Sequence, residues 1–326
     1  MQRRIWMRPE ALLVVTFAGM IVLGTLCLYS PLAQRGEPIS LLDAFFTATS
    51  AVCVTGLTTV DTGGSYNGFG RFVVFLMIQL GGLGVMTFGA IAIEMLGRRM
   101  SFTSQAALQD VFFQASARGD VRTALRRIVG MTLAFEAIGA VFLYVGMRGA
   151  DGVQAGLFNA IFHSVSAFCN AGFSLYQDNL TPFKQSRVVV WTIMLLVVAG
   201  GLGYTVLIEI GRRLSRLRKR GRRGSVHWTL NTRVVMAVSA LLIVGGTLTL
   251  LATGTAAGDS SIAASLTDAL FQSVSARTAG FNMVNVGALP LPALMILIAL
   301  MFVGGSPGSC AGGIKPPRWP SGSRGS

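Results

Sequence analysis

Three short glycine-centred turns have the residue types for one particular chemistry: Val54-Thr55-Gly56-Leu57, Asn170-Ala171-Gly172-Phe173 and Thr278-Ala279-Gly280-Phe281. None carries a carboxylate, so their useful atoms are backbone carbonyls. Glycine reaches positive φ at little cost, which lets successive carbonyls face one side. Rings of such carbonyls replace the hydration shell of a cation. Without a carboxylate, a weakly held monovalent cation fits better than calcium.

Each turn needs an element to position it. Short amphipathic segments precede the turns at 41–52, 156–168 and 265–277, with Phe46, Phe162 and Phe271 in register and Ser50, Ser166 and Ser275 likewise. The third turn reaches its glycine one residue sooner. About three helical turns reach roughly 18 Å, too short to cross a bilayer. Each segment is therefore expected to enter from one side and return. Its C-terminal, partly negative end would point at the turn, which also favours a cation. Irregular backbone at membrane depth is tolerated only where protein buries it or where it lines a water-filled path. Three such turns predict a shared path.

Flanking these segments are apolar runs at 11–30, 72–96, 128–147, 188–210 and 234–254, and a shorter one at 289–305 that ends in glycines. The 326-residue chain is 52% hydrophobic and only 12% charged, about half the charge of a soluble domain. An all-α integral membrane protein of roughly six spans follows. The first run is too long for the apolar core of a cleaved signal peptide. The later spans carry GGLG at 81–84, GGLG at 200–203 and GGSPG at 304–308, each at a similar distance beyond its turn glycine. Small residues let helices approach closely in lipid, and the common register marks one architecture repeated three times.

The net charge of +14 could suggest nucleic acid, but its placement points elsewhere. Arg3, Arg4 and Arg8 precede the first span. Arg98, Arg99, Arg118, Arg122, Arg126 and Arg127 lie between the second and third, and nine further basic residues from Arg212 to Arg233 between the fourth and fifth. This alternation puts the N-terminus and both basic loops in the cytoplasm. The turns are then on the outer side. The basic loop is expected to meet lipid phosphates or a cytoplasmic protein partner, not nucleic acid.

With these motifs in order, ATSAVCVTGLTTVDTG, HSVSAFCNAGFSL, QSVSARTAGFN and GGSPGSCAGGIK, the chain resembles the Trk/Ktr/HKT superfamily, and most closely its bacterial TrkH/KtrB-type potassium-uptake membrane subunits. The likeness runs from the first span to about Lys315. It implies span–pore-loop–span units around a central ion path and a multi-pass protein of the bacterial inner membrane. It also implies a homodimer and a cytoplasmic regulatory subunit that binds nucleotide, with no cofactor on this chain beyond the transported potassium. Carried over residue by residue, the filter would comprise Val54, Thr55, Gly56, Asn170, Ala171, Gly172, Thr278, Ala279 and Gly280. A broken second span in the third unit would form a gate from Gly304, Gly305, Ser306, Gly308, Ser309, Gly312 and Gly313, with Lys315 beyond.

This divides the chain into a first pore unit (1–97), a cytoplasmic linker (98–123), a second pore unit (124–210), a basic cytoplasmic loop (211–232), a third pore unit (233–315) and a polar tail (316–326). The family implies four units, and three are present. The proline-rich tail PPRWPSGSRGS differs abruptly in composition, as after a frameshift or cloning junction. The expectation is a truncated family member that conducts poorly unless another subunit fills the gap. The alternative function is a non-conducting fragment acting only through subunit interaction.

Other polar residues carry weaker readings. Glu136, inside the third span, suits either a cation relay or a helix–helix hydrogen bond. Arg277 would repel cations if it faced the path, so it is expected to brace its loop from behind through carbonyl or acid contacts. Asp43 and Asp268 are expected to open the first and third pore helices, with Asn159 at the matching place in the second. Glu94 and Glu209 read as solvated span ends. Cys53 and Cys169, at equivalent places in two turns, read as small packing residues. His163 and His227 suggest no metal site, and the four cysteines lack metal-ligand spacing. GSCAGGIK lacks the Gly-Lys-Ser/Thr order of a phosphate loop. No His or acid stands in register to activate a turn hydroxyl, so an enzyme is not expected.

Overall fold

The computed structural model describes residues 9–97, 121–148, 156–218, 228–253, 262–306 and 308–313. The expected termini, linker residues 98–120, basic residues 219–227, His227 and Lys315 lie outside the described residues.

Among the described residues ten helices carry the fold: α1 Pro9–Tyr29, α2 Leu41–Val52, α3 Gly68–Gly97, α4 Val121–Arg148, α5 Leu157–Phe168, α6 Arg187–Leu202, α7 Tyr204–Arg218, α8 Leu230–Ala252, α9 Ile262–Ala276 and α10 Leu291–Phe302. A single helical turn, Thr62–Ser65, precedes α3. No β-strand occurs among the described residues, only a lone bridge between Gln34 and Tyr66. The short helices α2, α5 and α9 each pack between longer neighbours: α2 on α1 and α3, α5 on α4 and α6, α9 on α8 and α10. The first set meets the second through α3 against α4 and α5; the second meets the third through α6 against α8 and α9.

Large apolar side chains face outward on the long helices, among them Leu23, Val141, Leu195, Leu241 and Ile298, while Thr132, Glu136, His163, Ser164 and Ser166 are buried. Lipid as solvent explains this, because the outer face must be apolar while polar groups need internal partners. Within α3, α4 and α8, segments of 20, 24 and 21 residues are long and apolar enough to cross a bilayer. The run expected to form a continuous span at 188–210 is instead broken. Helices α6 and α7 meet at 109°, and Gly203 between them has φ +80°. Helix α10 is only 12 residues long, and the glycine-rich residues after it leave the helix.

Helix α9 begins at Ile262, before the expected start at 265, so Asp268 lies beyond its first turn. There the Asp268 carboxylate is 2.6 Å from Lys184 Nζ, an ion pair between the second and third sets. Asp43 does sit in the first turn of α2, where Ser40 caps the helix. Its Oδ2 accepts a 2.6 Å hydrogen bond from the Ser40 hydroxyl. That bond, and a further one from Thr59, holds the exposed Asp43 carboxyl below its ordinary range.

Candidate functional site

The three turns share one backbone geometry. Helices α2, α5 and α9 end four residues before Gly56, Gly172 and Gly280. The residue two before each glycine is left-handed: Val54 at φ 56°, Asn170 at 57° and Thr278 at 68°. The glycines follow at 80°, 69° and 80°. The one-residue offset read from the third sequence is absorbed in the last turn of α9, leaving the loop spacing equal. Positive φ is costly for β-branched Val54 and Thr278, about 1–2 kcal/mol each. Such strain persists only where the surroundings over-determine it.

Serines hold these turns. The Ser50, Ser166 and Ser275 carbonyls accept from Thr55 N at 2.8 Å, Ala171 N at 2.7 Å and Ala279 N at 2.9 Å. The Ser166 hydroxyl donates to the Phe173 carbonyl at 2.8 Å, and Ser275 makes the same bond to Phe281. Buried Ser50 makes no equivalent bond. Their shared register was legible in the sequence; their clamping of the turn was not.

The turns abut one another. A Cβ on Gly56 would lie 2.2 Å from the Ala171 carbonyl oxygen, and one on Gly172 would lie 2.5 Å from that of Ala279. First meets second and second meets third, with room for nothing larger than hydrogen at each approach. Asn170 turns its side chain away: with its amide oriented to satisfy both neighbours, it donates to the Ala167 and Val197 carbonyls at 3.3 and 3.2 Å.

On one side of the turns lies a polar cavity of about 280 Å³ lined by Gly56, Gly172, Asp61, Gln177 and Asn179, among others. Its wall is fixed by His163, which sequence reading had set aside. His163 Nδ1 donates to the Asn159 carbonyl at 2.7 Å, while Nε2 accepts from Leu175 N at 3.4 Å and lies 3.1 Å from Ser174 Oγ. This partner set requires the neutral ring with its proton on Nδ1. Leu180 N donates to the Asn282 carbonyl at 3.0 Å, and Asn282 N to Asn179 Oδ1 at 3.3 Å, tying the second and third loops together.

On the other side, Asn170, Gly201, Ser239, Arg277 and Gly305 help line a void of about 10 Å³, the threshold for one water. The Arg277 guanidinium donates to Ser239 Oγ on α8 at 3.2 Å. It does brace from behind, but through a hydroxyl and not through the expected carbonyl or acid.

The glycine-rich segment after α10 folds back on itself: a Cβ on Gly304 would fall 1.7 Å from the Gly312 carbonyl oxygen. It seats in the α6–α7 break. Ser306 N donates to the Gly201 carbonyl at 3.0 Å, Ser306 Oγ to the Leu202 carbonyl at 2.7 Å, and Tyr204 N to the Gly308 carbonyl at 3.3 Å. The bend frees carbonyls and an N–H that helical residues would use internally, and this segment satisfies them. Ser309 Oγ closes the loop onto the Ser306 carbonyl at 2.6 Å.

Glu136 accepts from Gln79 Nε2 at 3.1 Å, so it links α4 to α3. Cys169 is buried as expected, but Cys53 is exposed. Glu209 is no solvated span end. It accepts from Thr229 N and Thr229 Oγ1, both at 2.8 Å, and from Thr232 Oγ1, joining α7 to the start of α8. No sequence signal linked residues 20 or more apart. The Glu94 side chain lies outside the described residues.

Known proteins resemble this chain in sequence and in fold. The profile of the TrkH family, described as a cation transport protein, matches residues 7–319. Ktr system potassium uptake protein B of Vibrio alginolyticus is 36% identical over 308 residues, covering 93% of this chain and 66% of that protein. Its namesake in Bacillus subtilis (strain 168) is 33% identical, with 95% and 68% covered. Potassium/sodium uptake protein NtpJ of Enterococcus hirae is also 33% identical, with 97% and 69% covered. The crystal structure of the potassium transporter TrkH from Vibrio parahaemolyticus superposes with a TM-score of 0.67 at 22% identity, covering 93% of this chain and 57% of that one. The chain thus spans about two thirds of the length of these sequence relatives. A profile match across nearly the whole chain, a shared helical membrane fold and identities above 30% lead to one conclusion: the chain belongs to the TrkH family, multi-pass membrane proteins of cation transport and not enzymes.

Proposed function

We propose that the chain is a potassium-uptake subunit in which Val54–Gly56, Asn170–Gly172 and Thr278–Gly280 supply carbonyls to a selectivity filter. The observation that carries this reading is the same left-handed, any, left-handed backbone in all three turns, packed turn against turn and free of carboxylates. The C-termini of α2, α5 and α9 end at the turns and add partial negative charge. The same backbone recurs three times, at turns that have only the glycine in common across all three.

The roomier cavity beside Gly56 and Gly172 serves as the outer vestibule, where an ion arrives hydrated. The segment 304–313 serves as the gate. Ser306 and Gly308 hold that gate to the α6–α7 bend, so movement of the basic helix α7 reaches it directly. A cytoplasmic nucleotide-binding subunit acting on α7, and a second copy of the chain, complete the proposed assembly in the bacterial inner membrane with the N-terminus inside. The relatives named for potassium uptake support potassium as the substrate.

Rubidium uptake into vesicles carrying the chain tests this. Uptake above that of empty vesicles, displaced by potassium before sodium, is expected, and Gly172→Ser should reduce the discrimination. Uptake equal to that of empty vesicles would remove the transport reading.

A further inference from the structure

Two buried thiols meet where the second turn adjoins the gate segment. Cys169 is the residue after α5 and precedes Asn170; Cys310 lies in the segment that seats in the α6–α7 bend. Both are free and buried. A Cβ on Gly82 would lie 2.5 Å from the Cys169 sulfur and 3.5 Å from the Cys310 sulfur, so both crowd one face of that glycine. The thiols lie within hydrogen-bonding reach of each other. Each also has an oxygen partner: Cys169 Sγ is 3.9 Å from Glu136 Oε1, and Cys310 Sγ is 3.6 Å from the Gly82 carbonyl oxygen. The two sulfurs thus share one small region against Gly82, and a carboxyl oxygen stands beside one of them.

We propose that Cys169 and Cys310 form an oxidation site in which a hydroperoxide closes a disulfide between the filter turn and the gate segment. The Cys169 sulfur attacks the terminal peroxide oxygen and breaks the O–O bond. Its proton passes through Glu136 to the departing oxygen, leaving a sulfenic acid and an alcohol, or water when the oxidant is hydrogen peroxide. The Cys310 sulfur then attacks the Cys169 sulfur. The S–O bond breaks, and hydroxide takes the Cys310 proton and leaves as water. Two thiols are oxidised by two electrons and one peroxide bond is reduced. The product ties residue 310 to residue 169 and so holds the gate against the turn. This functional consequence rests on the transport reading above; the chemistry of the pair does not.

The test treats the full chain in detergent with hydrogen peroxide, blocks remaining thiols after unfolding, and maps the peptides. Cys169 and Cys310 should lose alkylation together, yield one cross-linked peptide, and recover with dithiothreitol. Cys310→Ser should stop the reaction at a sulfenic acid on Cys169, trapped by dimedone. Glu136→Gln should slow closure by about tenfold or more, an effect that packing alone would not produce in a chain with unchanged melting. Full alkylation of both thiols after oxidation, or pairing with Cys27 or Cys53, would overturn the proposal. In vesicles, oxidation should lower rubidium uptake and reductant restore it. Uptake unchanged by a mapped cross-link would overturn the gating consequence. Absent uptake before oxidation would count against the transport reading, with the peptide map still deciding the pair.

Discussion

The same tetrapeptide GGLG lies in the first and second helix sets and has two fates. At 81–84 it runs through the continuous helix α3; at 200–203 the chain breaks at Gly203 and turns by 109°. The first two glycines behave alike. A Cβ on Gly81 would sit 2.1 Å from the Val52 carbonyl oxygen, and one on Gly200 would sit 1.8 Å from that of Phe168. Both let a long helix press against the end of the short helix before its turn. The difference lies at the last glycine. Beside Gly84 stands the Phe17 ring; beside Gly203 stand Ser306 and Gly308 of the glycine-rich segment. Local sequence permits the bend, and a tertiary partner able to satisfy the freed backbone groups selects it.

The largest expected effect tests the likeness. Gly200→Ala and Gly81→Ala should each destabilise by about 3 kcal/mol or more, since backbone carbonyls cannot move aside. Thermal unfolding in detergent reads this. An alanine tolerated at either position would mean that the helices do not approach as described. Gly201, whose Cβ would meet nothing nearer than 3.6 Å, serves as a permissive control.

The next effect tests the difference. Gly203→Ala should cost about 2 kcal/mol through its left-handed φ and its contact with Ser306. Gly84→Ala should change stability by less than about 1 kcal/mol, because helix propensity gains offset a tight ring contact. Equal costs would erase the contrast between the two motifs. Smaller still is the serine pair. Ser166→Ala should cost about 1 kcal/mol by losing its bond to Phe173, while Ser50→Ala should be close to neutral.

The smallest effect lies at the pore-helix starts. Asp43 has a lowered carboxyl value in the fold, so its contribution is present at neutral pH and is lost as pH falls through that lowered value. Asp43→Asn should flatten the acid limb of the melting profile below pH ~5. The second set begins at Gly156 with no side-chain cap and should add nothing there. An unchanged acid limb in the variant would detach that dependence from Asp43.

How much of this was written in the sequence follows from the range of each signal. Composition and apolar runs gave the membrane class, because lipid acts on every residue of a span. Helix α2 matched its expected limits, since Ser40 and Asp43 form a local cap. The turns were legible as repeated glycine motifs, yet the left-handed Val54 and Thr278 were not, because neither residue type favours that backbone. The α6–α7 bend was hidden for a related reason: its partners Ser306 and Gly308 lie about a hundred residues away. The ties of Glu209 to Thr229 and Lys184 to Asp268 likewise depend on docking between distant elements. Their residue types alone indicated no partner.

Three turns that hold a dehydrated potassium ion should make the fold's stability depend on that ion. Melting of the purified chain in potassium, sodium and choline chlorides at equal ionic strength tests it most directly, because an ion that binds the folded state stabilises it by mass action. The highest melting temperature is expected in potassium, with loss of that advantage in Gly172→Ser. Identical melting in all three salts would contradict it.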